Sequence, residues 1–339
     1  MTFQQHVDLK PFNTFNLSAQ ANQFVVARSV SDIQQLITDG VFKNQRTLVL
    51  GGGSNILLTG SFDGLVIKLE IKGITVVYEN EDEVILKVGA GENWHDLVMY
   101  CVSHDWGGIE NLSLIPGTAG AAPMQNIGAY GVEIKNVIEE VEVIHIDTGK
   151  VSSFENAACE FGYRESIFKQ KEKGKYIISS ITLRLTKKNH RYAMEYGAIS
   201  DTMKQLGIDK PSVKGISDAV IHIRKSKLPD PAKIGNAGSF FKNPSVSNEE
   251  YTLLQQVYPT IPGFSSDSNH TKIPAAWLIE QCGWKGKTFD SIGVHPLQAL
   301  VIVNYGGGDG RKIWQLALDI QSSVKEKFNI MLQPEVNVI

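Results

Sequence analysis

The sequence predicts an α+β protein of two or three domains, and three observations carry that prediction. Its 339 residues exceed the size at which one hydrophobic core stops growing. Apolar residues recur with period two in some segments and at helical spacing in others. Glycines gather in short runs, Gly51-Gly52-Gly53 and Gly306-Gly307-Gly308, which mark tight loops rather than a collagen-like repeat. A composition of 42% hydrophobic and 20% charged residues allows a sizeable interior without long disordered tracts. The net charge of −3 carries no basic excess, which excludes a whole-chain footprint for nucleic acid, so an anionic ligand needs a local site. Cys101, Cys159 and Cys282 are odd in number, widely spaced and without a CxxC pair, as expected of ordinary thiols in a reducing compartment. No metal site is expected. The first residues lack a signal pattern, and no apolar stretch reaches the ~18 residues that span a bilayer. A cytoplasmic protein without membrane insertion is therefore expected, and a monomer is the expectation for its state, which the sequence itself does not give.

Taken in order, FVVA, a helix from Ser31, TLVL, GGGSN and LVIKL read as a small α/β unit over residues 1–70. Ser31 suits the helix start because its hydroxyl can accept from an unpaired first-turn N–H. From Ile74, TVVYEN and EVILKVGA form a hairpin around the acidic turn Glu79-Asn80-Glu81-Asp82. Asn93 then caps a helix in which Trp94, Leu97, Val98, Cys101 and Val102 share one face. Two β-rich stretches, VIEEVEVIHID and YIISSITLRLT, flank FGYRESIFK and give residues 71–210 an α+β character. The polar run 187–215 reads first as a linker. Residues 211–328 hold a helix from Val213 to Lys227, a helix near PAAWLIEQCG, the strand ALVIVN and a long helix from Asp309 to about Phe328, before the strand-like 329–339.

Four segments invite chemistry. Gly51, Gly52, Gly53, Ser54 and Asn55 follow a strand directly, so their backbone N–H groups can face phosphate oxygens, though a plain tight turn is an equal reading. The run Pro116-Gly117-Thr118-Ala119-Gly120, continuing to Asn126, Gly128, Tyr130 and Gly131, is poor core material and a good stiff cradle. Two such loops favour a pyrophosphate-bearing cofactor, with ordinary surface loops as the alternative. Neither matches GxGxxG or a P-loop. Ser239, between Gly238 and Phe240-Phe241, is outside any GxSxG elbow and suits an acid better than a nucleophile, and a turn serine is the simpler reading. Glu335 lies in an apolar terminal strand, where it is either exposed at an edge or paired.

Together these segments resemble the UDP-N-acetylenolpyruvoylglucosamine reductases, also called UDP-N-acetylmuramate dehydrogenases, in their longer type I form. The resemblance rests on Asn13-Thr14-Phe15, LGGGSNILL, GAGENWHDLV, IENLSLIPGTAGAAPMQNIGAYGVE, FGYRESIFK, RKSKLPDPAKIGNAGSFFKNP, AAWLIEQCGWKG and QPEV, and spans essentially the whole chain. It implies a two-part FAD-binding module of the vanillyl-alcohol-oxidase (PCMH) type and a C-terminal α/β substrate-binding domain. It also implies noncovalent FAD around the two glycine loops, since Gly53-Ser54 stands where covalent relatives often place a histidine. NADPH is the implied co-substrate. By position, Arg164, Ser239 and Glu335 match the catalytic residues. Arg164 would stabilise enolate charge, Ser239 would protonate the carbon, and Glu335 would polarise the substrate carboxyl group. Tyr196 matches the substrate tyrosine and turns the 187–215 linker into a lid; Lys227, Asn243 and Gln298, with Arg224 as a weaker match, fall at positions that contact the UDP-sugar or NADPH, and Lys242 or Lys227 would assist Ser239. Gln333 departs from an acidic residue accepted in relatives. An FAD oxidase acting on a free sugar or lactone would explain the loops but not GSFFKNP with QPEV. A flavin-binding module without turnover would tolerate loss of Ser239.

Overall fold

The computed structural model describes residues 1–195 and 198–339. The chain divides into two compact units, one of residues 1–7, 21–53 and 62–226, the other of residues 8–20, 54–61 and 227–339.

The first unit contains two sheets. In the first the spatial order is Gln4–Asp8, Gln20–Ala27, Phe62–Leu69, Thr47–Leu50, with the last three strands parallel. Leu65, Val66 and Ile67 are fully buried in succession, as a strand covered on both faces requires. The helix Val30–Thr38 buries Ile33 and Leu36 on this sheet. Its cap is Ser29, not Ser31 as the sequence suggested. Ser29 is extended and its Oγ accepts from Asp32 N at 3.1 Å, while Asp32 accepts from the Ser29 and Arg28 amides. That reciprocal box needs a residue three positions before Asp32, which Ser31 is not.

The second sheet is antiparallel throughout, in the order Val151–Glu155, Ile138–His145, Tyr176–Thr186, Glu83–Gly89, Ile74–Glu79. Its Val84, Leu86 and Val88 share a core with the helix Trp94–Ser103, capped by Asn93 as expected. All five apolar residues of that helix's predicted face are buried. Strand Val151–Glu155 was not foreseen; it is an edge strand that buries no residue fully. The segment 187–215 is not an unstructured linker. It contains the helix Ile199–Gln205, whose Ile199 and Met203 are buried against Ile216, Ala219, Val220 and Ile223 of the helix Val213–Lys227. The Asn111 side chain also donates to Ala193 O at 2.8 Å. Tyr196, named as the lid residue, lies outside the described residues.

The second unit packs the helices Ala275–Gln281 and Gly310–Phe328 with an antiparallel sheet ordered Gly235–Asn236, Ile302–Asn304, Ile292–Val294, Thr288–Phe289. Its core takes Phe15 and Leu17 from one distant segment and Leu57 from another. The Asn13 amide, buried, donates to Leu9 O and Leu17 O at 2.8 Å each and accepts from Leu17 N. That closes a turn which delivers Phe15 O to the Asn304 amide at 2.8 Å. No helix among the described residues is long and apolar enough to cross a membrane.

Candidate active site

The two glycine-rich loops meet in the first unit. Strand Thr47–Leu50 runs straight into Gly51. A Cβ on Gly52 would stand 2.7 Å from Gly117 Cα, and one on Gly51 2.6 Å from Thr118 Oγ1. Backbone therefore lies against backbone, with Gly117 at φ +126°, where a side chain is strained. Gly120 is equally tight against Ala90, and Pro116 is exposed beside it. Lys68 holds the entry, donating to Gly51 O at 2.6 Å, and burial pulls its amine below the ordinary value. A lysine inside the apolar strand LVIKL was the available signal for this residue, which the sequence reading passed over. The side-chain-free surface suits an anionic group that must come close to amide dipoles. Gly52→Ala is expected to cost about 1–3 kcal/mol, the usual penalty of overpacking, and to lower cofactor content. Thermal denaturation and the flavin-to-protein absorbance ratio would measure both, and a variant matching the parent in both would contradict the close packing.

Beyond this pair, Tyr130 and Gly131 form a two-residue turn at φ +50° and +82° between Gly128–Ala129 and Val132–Glu133. Both residues in the left-handed region are what a tight hairpin of primed type requires. Asn126 is fully buried and spends its amide on Glu133, Gly162 O and Lys135 N, so its side chain positions the loop. Arg164 reaches the same turn, its guanidinium donating to Gly128 O at 2.7 Å and standing 5.2 Å from the Tyr163 ring. It sits in a tight turn closed by the Gly162–Glu165 pair, at φ +56°. Buried Ile167 and Phe168, and the Ser166 hydroxyl donating to Met124 O at 2.6 Å, root that turn in the core. FGYRESIFK is thus a half-buried arginine turn on an apolar anchor. His95, in ENWHDLV but not singled out beforehand, accepts from Leu114 N at 3.0 Å through Nδ1. Burial, with the nearby Arg224 and Lys225 charges, holds its pKa below the usual histidine value.

In the second unit Ser239 is exposed, while the two residues after it are the anchors: Phe240 and Phe241 are 0% and 1% accessible. Burial of each ring contributes about 2–3 kcal/mol to holding the segment in place. Phe240 N donates to Leu300 O, and Glu335 N donates to Phe240 O, both at 2.8 Å. With the Phe241–Pro334 bridge and Lys242 N on Gln333 O, this register sets Glu335 across from Phe240, one residue from Ser239. The Asn55 amide donates to Glu335 O at 3.1 Å, and its own carbonyl accepts from Asn337. The Asn337–Val338 strand pairs with Ile56–Leu57, so the segment after Ser54 holds the carboxylate-bearing strand. Asn243 Oδ1 accepts from Ala275 N at the start of Ala275–Gln281, a place Pro274 cannot cap by side chain. Gln298 Oε1 accepts from Leu300 N, and Lys227 is exposed at the end of its helix. The thiols are as bland as expected, with Cys101 and Cys159 buried and pushed up to about 12.

Comparison with known proteins gives the chain a family. The family described as "FAD binding domain" matches residues 21–155, and "UDP-N-acetylenolpyruvoylglucosamine reductase, C-terminal domain" matches residues 230–339. The UDP-N-acetylenolpyruvoylglucosamine reductase of Amoebophilus asiaticus is 50% identical over all of both chains, and that of Flavobacterium johnsoniae 44% identical over all of both. A crystal structure of the Thermus caldophilus reductase of the same name, 22% identical, superposes with a TM-score of 0.67 over 99% of each chain and shares the fold. The α+β architecture with its FAD-binding module is therefore established, the glycine-loop surface fits such a cofactor, and the chain belongs to the UDP-N-acetylenolpyruvoylglucosamine reductase family.

Proposed function

We propose that the chain reduces the enolpyruvyl double bond of UDP-N-acetylglucosamine enolpyruvate to give UDP-N-acetylmuramate, using NADPH and noncovalently held FAD, in peptidoglycan precursor synthesis. Full-length identity with reductases of this name supports the reaction. The observation that carries it into chemistry is the register that sets Glu335 across from Phe240, one residue from Ser239. The type I assignment rests on the motif resemblance and the Tyr196 segment.

Bound FAD supplies hydride transfer between NADPH and the substrate. Gly51, Gly52, Gly53, Pro116, Gly117 and Gly120 give it a surface free of large side chains. Asn126, Gly128, Tyr130 and Gly131 shape the adjoining turn, and Ser54 and Asn55 continue the first loop. Arg164, a planar guanidinium, pairs with the substrate carboxylate as charge develops there, an effect worth roughly 3–4 kcal/mol per good donor. Ser239 supplies the proton to the substrate carbon. The hydroxyl is a weak acid, so it acts only on a strongly basic carbon held at hydrogen-bond range. Glu335 is the hydrogen-bonded partner that polarises the carboxyl group, a role requiring a protonated or shared-proton form beside that anion. Tyr196, Lys227, Asn243 and Gln298 bind the UDP-sugar.

Stopped-flow absorbance tests the whole reading. NADPH should bleach the yellow enzyme, and UDP-N-acetylglucosamine enolpyruvate should restore the colour in a second mixing step. Acid precipitation should leave free FAD in the supernatant. An enzyme whose colour returns only with oxygen would overturn the substrate assignment.

A further inference from the structure

The helix Val213–Lys227 carries a half-buried arginine whose Nε is sealed within the first unit. Arg224 lies seven residues, about two turns, beyond Ser217 and so on the same face. Ser217 Oγ stands 2.8 Å from Ser113 Oγ, which sets that face against the start of the second glycine-rich segment. The charge of Arg224 acts on Tyr130 in the glycine turn and on His95, which is bonded to Leu114. Arg224 Nε is sealed from solvent and has no hydrogen-bond partner among the described residues, and no carboxylate among them acts on its charge. Burial pulls the guanidinium pKa down, countered in part by Tyr130. His95 cannot supply the missing negative charge, because an imidazole is either neutral or cationic. A guanidinium whose Nε is sealed from solvent without a partner is a destabilising choice for a protein that never binds an anion there.

We propose that Arg224 is the buried counter-charge for an anionic oxygen of the bound cofactor. The proposal rests on the FAD reading above. Two parts of FAD offer such an oxygen: the diphosphate, and the N1–C2=O edge of the flavin ring, which gains negative charge on reduction. The same guanidinium chemistry recognises either.

The test uses Arg224→Met and Arg224→Lys, each prepared as apoprotein and as holoprotein. Apo Arg224→Met should melt at or above the parent, because an uncompensated buried charge has been removed. Binding of FAD, read by fluorescence quenching, should weaken by about tenfold or more if the diphosphate is the ligand, with the flavin midpoint potential unchanged. If the ring edge is the ligand, the midpoint potential should fall while affinity changes less. Arg224→Lys should recover part of either loss. An apo Arg224→Met that melts below the parent, with parental FAD affinity and potential, would make Arg224 a structural residue and overturn the proposal. A parent protein that takes up no FAD would instead overturn the cofactor reading, so the two failures are distinguishable.

Discussion

Ser239→Ala should leave NADPH able to bleach the flavin at the parental rate while slowing recolouring by the enolpyruvyl substrate about 10²–10⁴-fold, the range of a lost general acid. The structure makes this a clean experiment. Ser239 is exposed, and its place is held by the backbone bonds of Phe240 to Leu300 and Glu335 and by two buried rings, none of which involves the hydroxyl. The melting temperature should therefore stay within a degree or two of the parent. Double-mixing stopped flow separates the two half-reactions. Parental rates in both would remove Ser239 from proton transfer, and loss of the first would show that the substitution damages cofactor or NADPH binding instead.

Arg164→Met should lower kcat by roughly 10²–10³, the cost of one well-placed donor at a developing anion. Arg164→Lys should recover little, since an ammonium presents a point charge where a planar fork is needed. Arg164 also donates to Gly128 O in the glycine turn, so part of any loss could come from a loosened cofactor. Measuring FAD content alongside kcat resolves this. A parental FAD ratio with a large fall in kcat assigns the arginine to the substrate, and a kcat within threefold of the parent would exclude it from the chemistry.

Much of the fold was legible because its signals are local. The five buried residues of Trp94–Ser103 and its Asn93 cap follow from helical spacing and one polar side chain. The helix Val213–Lys227 and the hairpin of Ile74–Glu79 with Glu83–Gly89 were equally plain. The misses have physical causes. Asn248–Val257 was not read as a helix because it buries no residue and so shows no apolar stripe, although Ser247 and Glu250 form a complete capping box. Polarity hid Ile199–Gln205, whose few buried side chains pack on a helix beyond the next turn. At the site, Gly52 and Gly117 were visible as loops, but their mutual contact joins segments 65 positions apart and no local pattern announces it. The register of Glu335 beside Ser239 is longer-ranged still. Lys68 was detectable only as a charge set among apolar neighbours, whereas Arg224 was reached only through the motif resemblance.

The second unit's patchwork of chain segments has a kinetic meaning. Asn304 bonds Phe15 O across 289 positions, and Asn55 bonds Glu335 O across 280. Closing loops of that size must precede any reward from the contacts they bring, so this half should be slow to mature during refolding. Residues 230–339, expressed alone, would also lack Phe15, Leu17 and Leu57 from their interior. Such a fragment should expose apolar surface and clump, however complete its helices, and a dissection of this enzyme that respects sequence order will cut through the very packing it seeks to isolate.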